Sequence, residues 1–266
     1  MIWVDLRKQA FRLRTYVALA VMVAVPIITT LALRLGGSPR QQGQADFFTV
    51  ATHSGLNIPL ASLTAMTGFL LVVVVALFAG SSVAEEANWG SLRYLLVRPV
   101  PRSRLLTAKV LVAALLALVA TVLISLSGLV AGVIAFGWHP ILTPSLTFLS
   151  QNQALARLAL ATVYVAWSMS GVIAFAFMLS TMTDAALAAV AGGVGFAIIS
   201  EILNVIRALG GIRGWLPTHW WDSWQGLFAQ PVTTSHMLNG ALLQVLYVAV
   251  FLTLAFWWFR RRDVLS

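Results

Sequence analysis

The sequence predicts an all-α integral membrane protein with six transmembrane helices. Of its 266 residues, 60% are hydrophobic and only 9% are charged, and the mean hydropathy is +0.90. A soluble domain has about a quarter of its residues charged. Runs of about 20 apolar residues recur, and each is long enough to cross a hydrocarbon core of about 30 Å as a helix. The alternating strands of a membrane β-barrel, about 10 residues each, do not occur in these runs.

Residues 1–14 predict a short helix that lies in the cytoplasmic membrane interface. Apolar side chains fall on one helical face and charged side chains on another: Ile2, Leu6, Ala10 and Leu13 against Asp5, Lys8 and Arg12. Trp3 is a plausible anchor at the interface, and a merely basic flank is the alternative interpretation. The apolar run that follows is longer than a signal-peptide core, so we expect a retained first span.

Six spans are predicted within a single transmembrane domain that covers residues 1–266. They are Tyr16–Leu35, Pro59–Ala79, Leu106–Phe136, Ala154–Leu179, Ala185–Ile206 and Leu238–Phe259. Glycine, proline and polar residues between them indicate loops. No loop is large enough for an independent soluble domain.

The basic residues predict the orientation. With six spans and the N-terminus inside, twelve of the seventeen lysines and arginines lie on the cytoplasmic side. The other five are Arg34, Arg40, Arg157, Arg207 and Arg213. Because basic residues concentrate in cytoplasmic loops, both termini are predicted to face the cytoplasm, in an inner or plasma membrane. This bias also accounts for the net charge of +9 without a nucleic-acid partner.

The loop between the second and third spans, residues 81–104, has an unusual order of residues. Two acids, Glu85 and Glu86, precede Gly90, and an apolar pair follows one helical turn later. Pro99 and Pro101 end any helix there, because proline cannot continue the backbone ladder. The pattern predicts a short amphipathic cytoplasmic helix that is suited to docking against a partner surface.

This order resembles the signature of type-2 ABC transporter permeases: an acid, Gly-Thr-Leu, Leu-Leu, Pro-x-x-Arg, then a lysine that opens the next span. The matching positions are Glu85 or Glu86, Gly90, Ser91, Leu92, Leu95, Leu96, Pro99, Arg102 and Lys109. Ser91 stands where threonine is commoner, and it keeps the hydroxyl. The six-span layout, the N-terminal helix and the stretch 216–220 extend the resemblance over most of the chain.

The resemblance implies the membrane subunit of an ATP-driven transporter, usually an exporter that works by alternating access. In such families the loop is a coupling helix, and two permease chains, as a homodimer or heterodimer, join two ATPase subunits. ATP and Mg²⁺ are then expected on the ATPase subunits, with no cofactor and no catalytic residue on this chain. A phosphate-binding loop needs a Gly-Lys step, and neither lysine, Lys8 or Lys109, follows a glycine. The apolar pathway favours a hydrophobic or amphipathic cargo, such as a drug or lipid.

Within the predicted spans, charged and small residues stand out. Glu201 is expected to pair with Arg157 or Arg207, because an ionisable group in hydrocarbon needs a partner; contact with a substrate is the alternative. Small residues allow close helix packing. Contacts within the chain are favoured over a dimer seam for Gly128 and Gly132 and for Gly192, Gly193 and Gly195.

Residues 207–237 form the longest break, an external aromatic loop. It contains Trp215, Trp220, Trp221 and Trp224, and aromatic residues of this kind sit at membrane interfaces. The segment is predicted to re-enter the outer leaflet before the last span and to lie where an exported substrate leaves. A metal site is not predicted, since His139, His219, Asp222 and His236 lack a ligand spacing.

The sequence disfavours two other functional classes. An intramembrane enzyme would show a catalytic motif, and the chain has neither Gly-x-Ser-x-Gly nor His-Glu-x-x-His. An ion-gradient-driven secondary transporter would need several ionisable groups within its spans, and only Glu201 qualifies.

Overall fold

The computed structural model describes residues 2–36, 46–88 and 101–261. Its helices, numbered in chain order, are α1 (Ile2–Ala10), α2 (Leu13–Gly36), α3 (Ile58–Thr67), α4 (Leu70–Asn88), α5 (Arg102–Phe136), α6 (Gln151–Ser168), α7 (Ser170–Met182), α8 (Ala186–Val205) and α9 (Ser235–Arg261). The protein is a helical bundle, in agreement with the predicted fold class.

Shorter elements lie between the helices. Four 3₁₀ segments are described: Ala51–His53, Gly55–Asn57, Arg207–Trp215 and Trp221–Phe228. A small antiparallel hairpin joins β1 (Ile141–Leu142) to β2 (Phe148–Leu149), with Ile141 opposite Leu149. Apart from the hairpin, these short elements are helical turns, whose backbone hydrogen bonds form within the element.

The described residues contain five helices that are long and apolar enough to cross a membrane, or six if a bent pair counts as one span. The bent pair occupies the predicted second span: residues 55–67 and 70–86 meet at an angle of 60°. The bend lies within the predicted span Pro59–Ala79, at Gly68, a residue with low helix propensity. The predicted fourth span continues to Met182, with a short interruption at Met169.

Helix α4 lies at the centre of the bundle and packs against α5, α7 and α8, while α7 packs against α9 and α2 packs against α5. Small residues permit this close packing. A Cβ added to Gly132 would meet the carbonyl oxygen of Gly55, and one added to Gly128 would lie 3.0 Å from the Cα of Pro59. Gly193 faces Ala176 of α7. The predicted packing within the chain is confirmed for Gly128, Gly132, Gly192 and Gly193, whereas Gly195 has open space around it.

Large apolar side chains cover the outward faces of α2, α8 and α9. Ile28, Ile199 and Leu242 are each about 60% exposed. In water such faces would form extended apolar patches of a kind that soluble proteins avoid. The exposed surface therefore has the character of a surface solvated by lipid.

Candidate functional site

Five charged side chains meet at the end of the bundle where α4 ends and α5 begins. Glu85 forms ion pairs with Arg12 and Arg14. Glu86 lies 2.6 Å from the Nζ of Lys109, whose side chain is only 3% exposed. We refer to these five residues as the charge cluster. It unites acids and bases that are far apart in the sequence.

Three helix ends position the five members of the charge cluster. Arg12 and Arg14 lie at the elbow between α1 and α2, where the Thr15 hydroxyl donates to the Gln9 carbonyl at 2.6 Å. Glu85 and Glu86 lie in the last turns of α4, and Lys109 lies two turns into α5. The elbow, α4 and α5 therefore converge on one set of charges.

Polar side chains also hold the end of α4 from its other sides. The Lys109 Nζ donates to the Ser82 carbonyl at 2.8 Å. The Ser180 hydroxyl of α7 accepts from the backbone N–H groups of Val83 and Ala84 at 3.0 and 2.9 Å. The final turns of α4 are thus tied both to α5 and to α7.

The Glu86–Lys109 pair is buried, and this decides its energetic role. Removing the charges from water costs roughly what their attraction returns, so an intact buried pair adds little net stability. Breaking the pair by removing one partner, however, costs about 3–5 kcal/mol. The pair therefore acts mainly to fix the end of α4 beside the start of α5.

The predicted coupling residues divide between two regions. Glu85 and Glu86 lie in the charge cluster, and Arg102 begins α5. The remaining positions lie outside the described residues: Gly90, Ser91, Leu92, Leu95, Leu96 and Pro99. The two flanks of that segment are joined directly by the Glu86–Lys109 pair.

The predicted partners of Glu201 are wrong. Among the described residues, neither Arg157 nor Arg207 forms an ion pair with Glu201. Arg157 instead donates to the Leu227 carbonyl at 2.6 Å, and Arg207 is exposed. The Glu201 side chain interacts with Thr218 and with Asn204 of its own helix. Glu201 faces residues 207–237, which we call the aromatic segment, and not the arginines.

At the opposite end of the bundle, the four tryptophans of the predicted exit differ in exposure. Trp221 and Trp224 are 3% and 0% exposed, whereas Trp215 is 66% exposed and Trp220 is half-buried. The Trp224 ring stacks on Phe47 at 5.4 Å. Trp221 and Trp224 therefore belong to the core, and only Trp215 and Trp220 present surface to a ligand.

Trp215 and Trp220 line a cavity of about 400 Å³, which we call the aromatic cavity and which is completed by the first turns of α9. Asn239 supplies an amide to this cavity, and Leu242 and Leu246 supply apolar walls. The Trp220 indole donates to the Gly214 carbonyl at 3.0 Å, which fixes the ring. The arrangement suits an apolar ligand with a small polar group.

The aromatic segment is held in place by side chains whose importance the sequence did not reveal. Its carbonyls accept hydrogen bonds from three residues within the helices: Tyr247 to Trp215 O at 2.7 Å, Gln244 to Pro217 O at 2.8 Å, and Tyr164 to Trp220 O at 2.8 Å. Gln244 also accepts from the Gly171 N–H at 3.0 Å, at the break between α6 and α7. The sequence offered one signal for this role, the amide side chain of Gln244 within an apolar run. Gln244 is buried, with 2% of its surface exposed.

His219 links the segment to α8. Its Nδ1 lies 2.5 Å from the Asn204 Oδ1. Desolvation lowers the pKa of His219 below its ordinary 6.5, and the nearby Arg213 and His236 lower it further. The ring is therefore neutral near pH 7.

A family model with the description "Protein of unknown function (DUF2705)" matches residues 40–265. The chain belongs to this family. It is also 25% identical over 217 residues to the Bacillus subtilis (strain 168) protein "Uncharacterized protein YhcI". That alignment covers 77% of this chain and 66% of the relative, so the chain spans just under two thirds of the relative's own length.

The DUF2705 match covers most of the charge cluster and the whole of the aromatic segment. Glu85, Glu86, Lys109 and the aromatic segment lie within it, whereas Arg12 and Arg14 precede it. Across the ranges that the structure describes, no three His, Asp or Glu side chains come close enough to hold a metal ion. The two candidate sites are thus the charge cluster and the aromatic cavity.

Proposed function

We propose that this DUF2705 protein is the membrane-spanning subunit of an ATP-driven transporter of the type-2 ABC permease kind. In this proposal it crosses a cell membrane six times, with the bent pair α3–α4 as one span and both termini in the cytoplasm. It works as a dimer with two separate ATPase subunits and exports a hydrophobic or amphipathic substrate.

The observation that carries the proposal is the Glu86–Lys109 pair at the base of residues 89–100. This segment holds most of the residues that resemble a coupling helix, and the pair joins the two helices that flank it. Movement imposed on the segment by a partner would therefore displace α4 and α5 together. The Glu85 pairs with Arg12 and Arg14 would carry the same movement to α2.

In this proposal, the connection drives alternating access. ATP-driven closure of the ATPase pair would push on the segment and tilt α4, which contacts α5, α7 and α8. The tilt would reach α9 through α7, and α9 forms one wall of the aromatic cavity. The aromatic cavity then serves as the exit, with Trp215 and Trp220 as its ligand-facing residues.

The test is to co-express the chain with an ABC ATPase encoded by a neighbouring gene and to reconstitute the complex. ATP hydrolysis and export of a fluorescent amphipathic probe are then measured together. Gly90→Pro, Leu95→Asp and Glu86→Ala should each uncouple hydrolysis from export or prevent assembly. Leu146→Asp is the matched control, because it makes the same change at an exposed leucine in the hairpin turn at the opposite end.

Two results would overturn the proposal. One is robust ATP hydrolysis by the purified chain alone, since the separate subunit would then be unnecessary. The other is unchanged coupling in all three loop variants, because the segment would then not transmit movement. A proton or sodium gradient that drives export without ATP would indicate the secondary-transporter class instead.

A further inference from the structure

A narrow apolar groove of about 510 Å³ runs along the surface between α2 and α5. One wall is formed by Val23, Ile27 and Leu31 of α2, and the other by Leu126, Val130 and Ile134 of α5. These spacings place each set on one face of its helix. The groove leads toward the C-terminal end of α2, where Arg34 completes its lining.

The hydroxyl groups in the groove are already used. Thr30 donates to the Pro26 carbonyl at 2.7 Å, and Ser127 donates to the Ile124 carbonyl at 3.3 Å. The walls therefore offer a ligand only apolar contacts. Arg34 is the sole charged residue of the lining, and in the described part of the chain it forms no ion pair. The groove is apolar along its length and cationic at one end.

The length and the charge of the groove favour one occupant. The eleven steps from Val23 to Arg34 rise about 16 Å at about 1.5 Å per residue, close to half of a hydrocarbon core of about 30 Å. One extended acyl chain of a single leaflet spans that depth, and its headgroup then lies beside Arg34. The exposed guanidinium group at that end is complementary to an anionic headgroup.

We infer that the groove between α2 and α5 binds one acyl chain of an anionic phospholipid, with Arg34 paired to the headgroup phosphate. The lipid belongs to the leaflet that surrounds the C-terminal half of α2. Its bound chain fills the groove between the two helices. The inference requires that the helices cross a membrane, and it does not depend on ATP-driven transport.

The experiment is native mass spectrometry of the full chain, purified in a mild detergent with equal amounts of phosphatidylglycerol and phosphatidylcholine. We expect one retained phospholipid per chain, with phosphatidylglycerol favoured about fivefold, the effect of one basic residue at an anionic headgroup. Arg34→Gln should abolish this preference while retention continues. Ala131→Phe, which fills the groove from α5, should abolish retention of either lipid.

Arg207→Gln is the matched control, since it removes an exposed arginine that does not line the groove, and it should leave both results unchanged. Monodispersity and melting temperature report whether each variant folds. Because Arg34 is exposed, Arg34→Gln should fold and remains informative even if Ala131→Phe does not fold. Equal retention of both lipids by the wild-type chain would overturn the assignment. So would a dimer that Ala131→Phe dissociates, because a second copy would then occupy the groove. ATP hydrolysis by the complex is scored separately, so either idea can fail alone.

Discussion

Replacing Lys109 with methionine is the sharpest perturbation of the charge cluster. Methionine keeps the length and apolar character of the side chain but removes the ammonium group that lies 2.6 Å from Glu86. Glu86 is only 9% exposed, so its carboxylate would remain buried without that cation. Loss of one partner of a buried pair costs about 3–5 kcal/mol of unfolding free energy. The folded-to-unfolded ratio should fall by about two to three and a half orders of magnitude, since about 1.4 kcal/mol is tenfold.

The double variant Lys109→Met with Glu86→Gln should recover most of that loss. With both charges gone, neither side chain imposes the desolvation cost of an uncompensated ion. The two changes should therefore be strongly non-additive, by roughly 2 kcal/mol or more, as expected for residues in direct contact. The sign matters as well: the double variant should be more stable than Lys109→Met alone.

The assay is reversible unfolding of the purified chain in mixed micelles of increasing denaturing detergent, followed by tryptophan fluorescence. Lys8→Met provides a matched control, because it makes the same substitution at the other lysine of the chain, which is exposed in α1. Its effect should lie within about 0.5 kcal/mol of zero, as for most surface substitutions. If Lys109→Met behaves like Lys8→Met, or if the two changes in the double variant simply add, the reasoning about the pair is refuted.

Three further outcomes are expected in the same unfolding assay. Gly132→Ala should destabilise the chain by about 1–3 kcal/mol through overpacking, whereas Gly195→Ala, at a glycine with open space around it, should be neutral or stabilising; equal effects would contradict the packing described. Gln244→Leu should cost about 1–3 kcal/mol for each buried backbone group left unpaired, and Gln153→Leu, at an exposed position, should cost little. As the pH falls below 6.5, the unfolded chain takes up a proton on His219 more readily than the folded chain, whose His219 pKa is lowered. Stability should therefore fall between pH 6.5 and that lower pKa, and His219→Gln should remove this part of the pH dependence.

The sequence predicted the helices well because a membrane interior demands long apolar runs, and those runs are visible in one dimension. It did not predict the 60° bend, since Gly68 lies between two apolar stretches that together have the length of one span. Glycine is tolerated within membrane helices, so its presence alone does not mark a break. The bend became visible only with the packing of α3 against α5.

The candidate sites were predicted in part. The acids of the loop were singled out, but their partners were not, because Arg12 and Glu85 are 73 positions apart in the sequence and no local pattern links them. The pairing of Glu201 was wrong for a related reason. Arg157 lies on α6, which packs against the 3₁₀ helix 221–228, and a backbone carbonyl there satisfies its guanidinium group. The position of Arg157 near the end of a predicted span did not show which face of α6 this residue occupies.

The ion pair between Glu86 and Lys109 has a consequence for how this region can vary. Because the pair fixes α4 beside α5 at the base of the intervening segment, the register of the two helices does not depend on the segment's length. We therefore expect the bundle to keep its packing when residues 89–100 are lengthened or exchanged for those of another family member. The sequence at this end can then vary without disturbing the contacts among the helices.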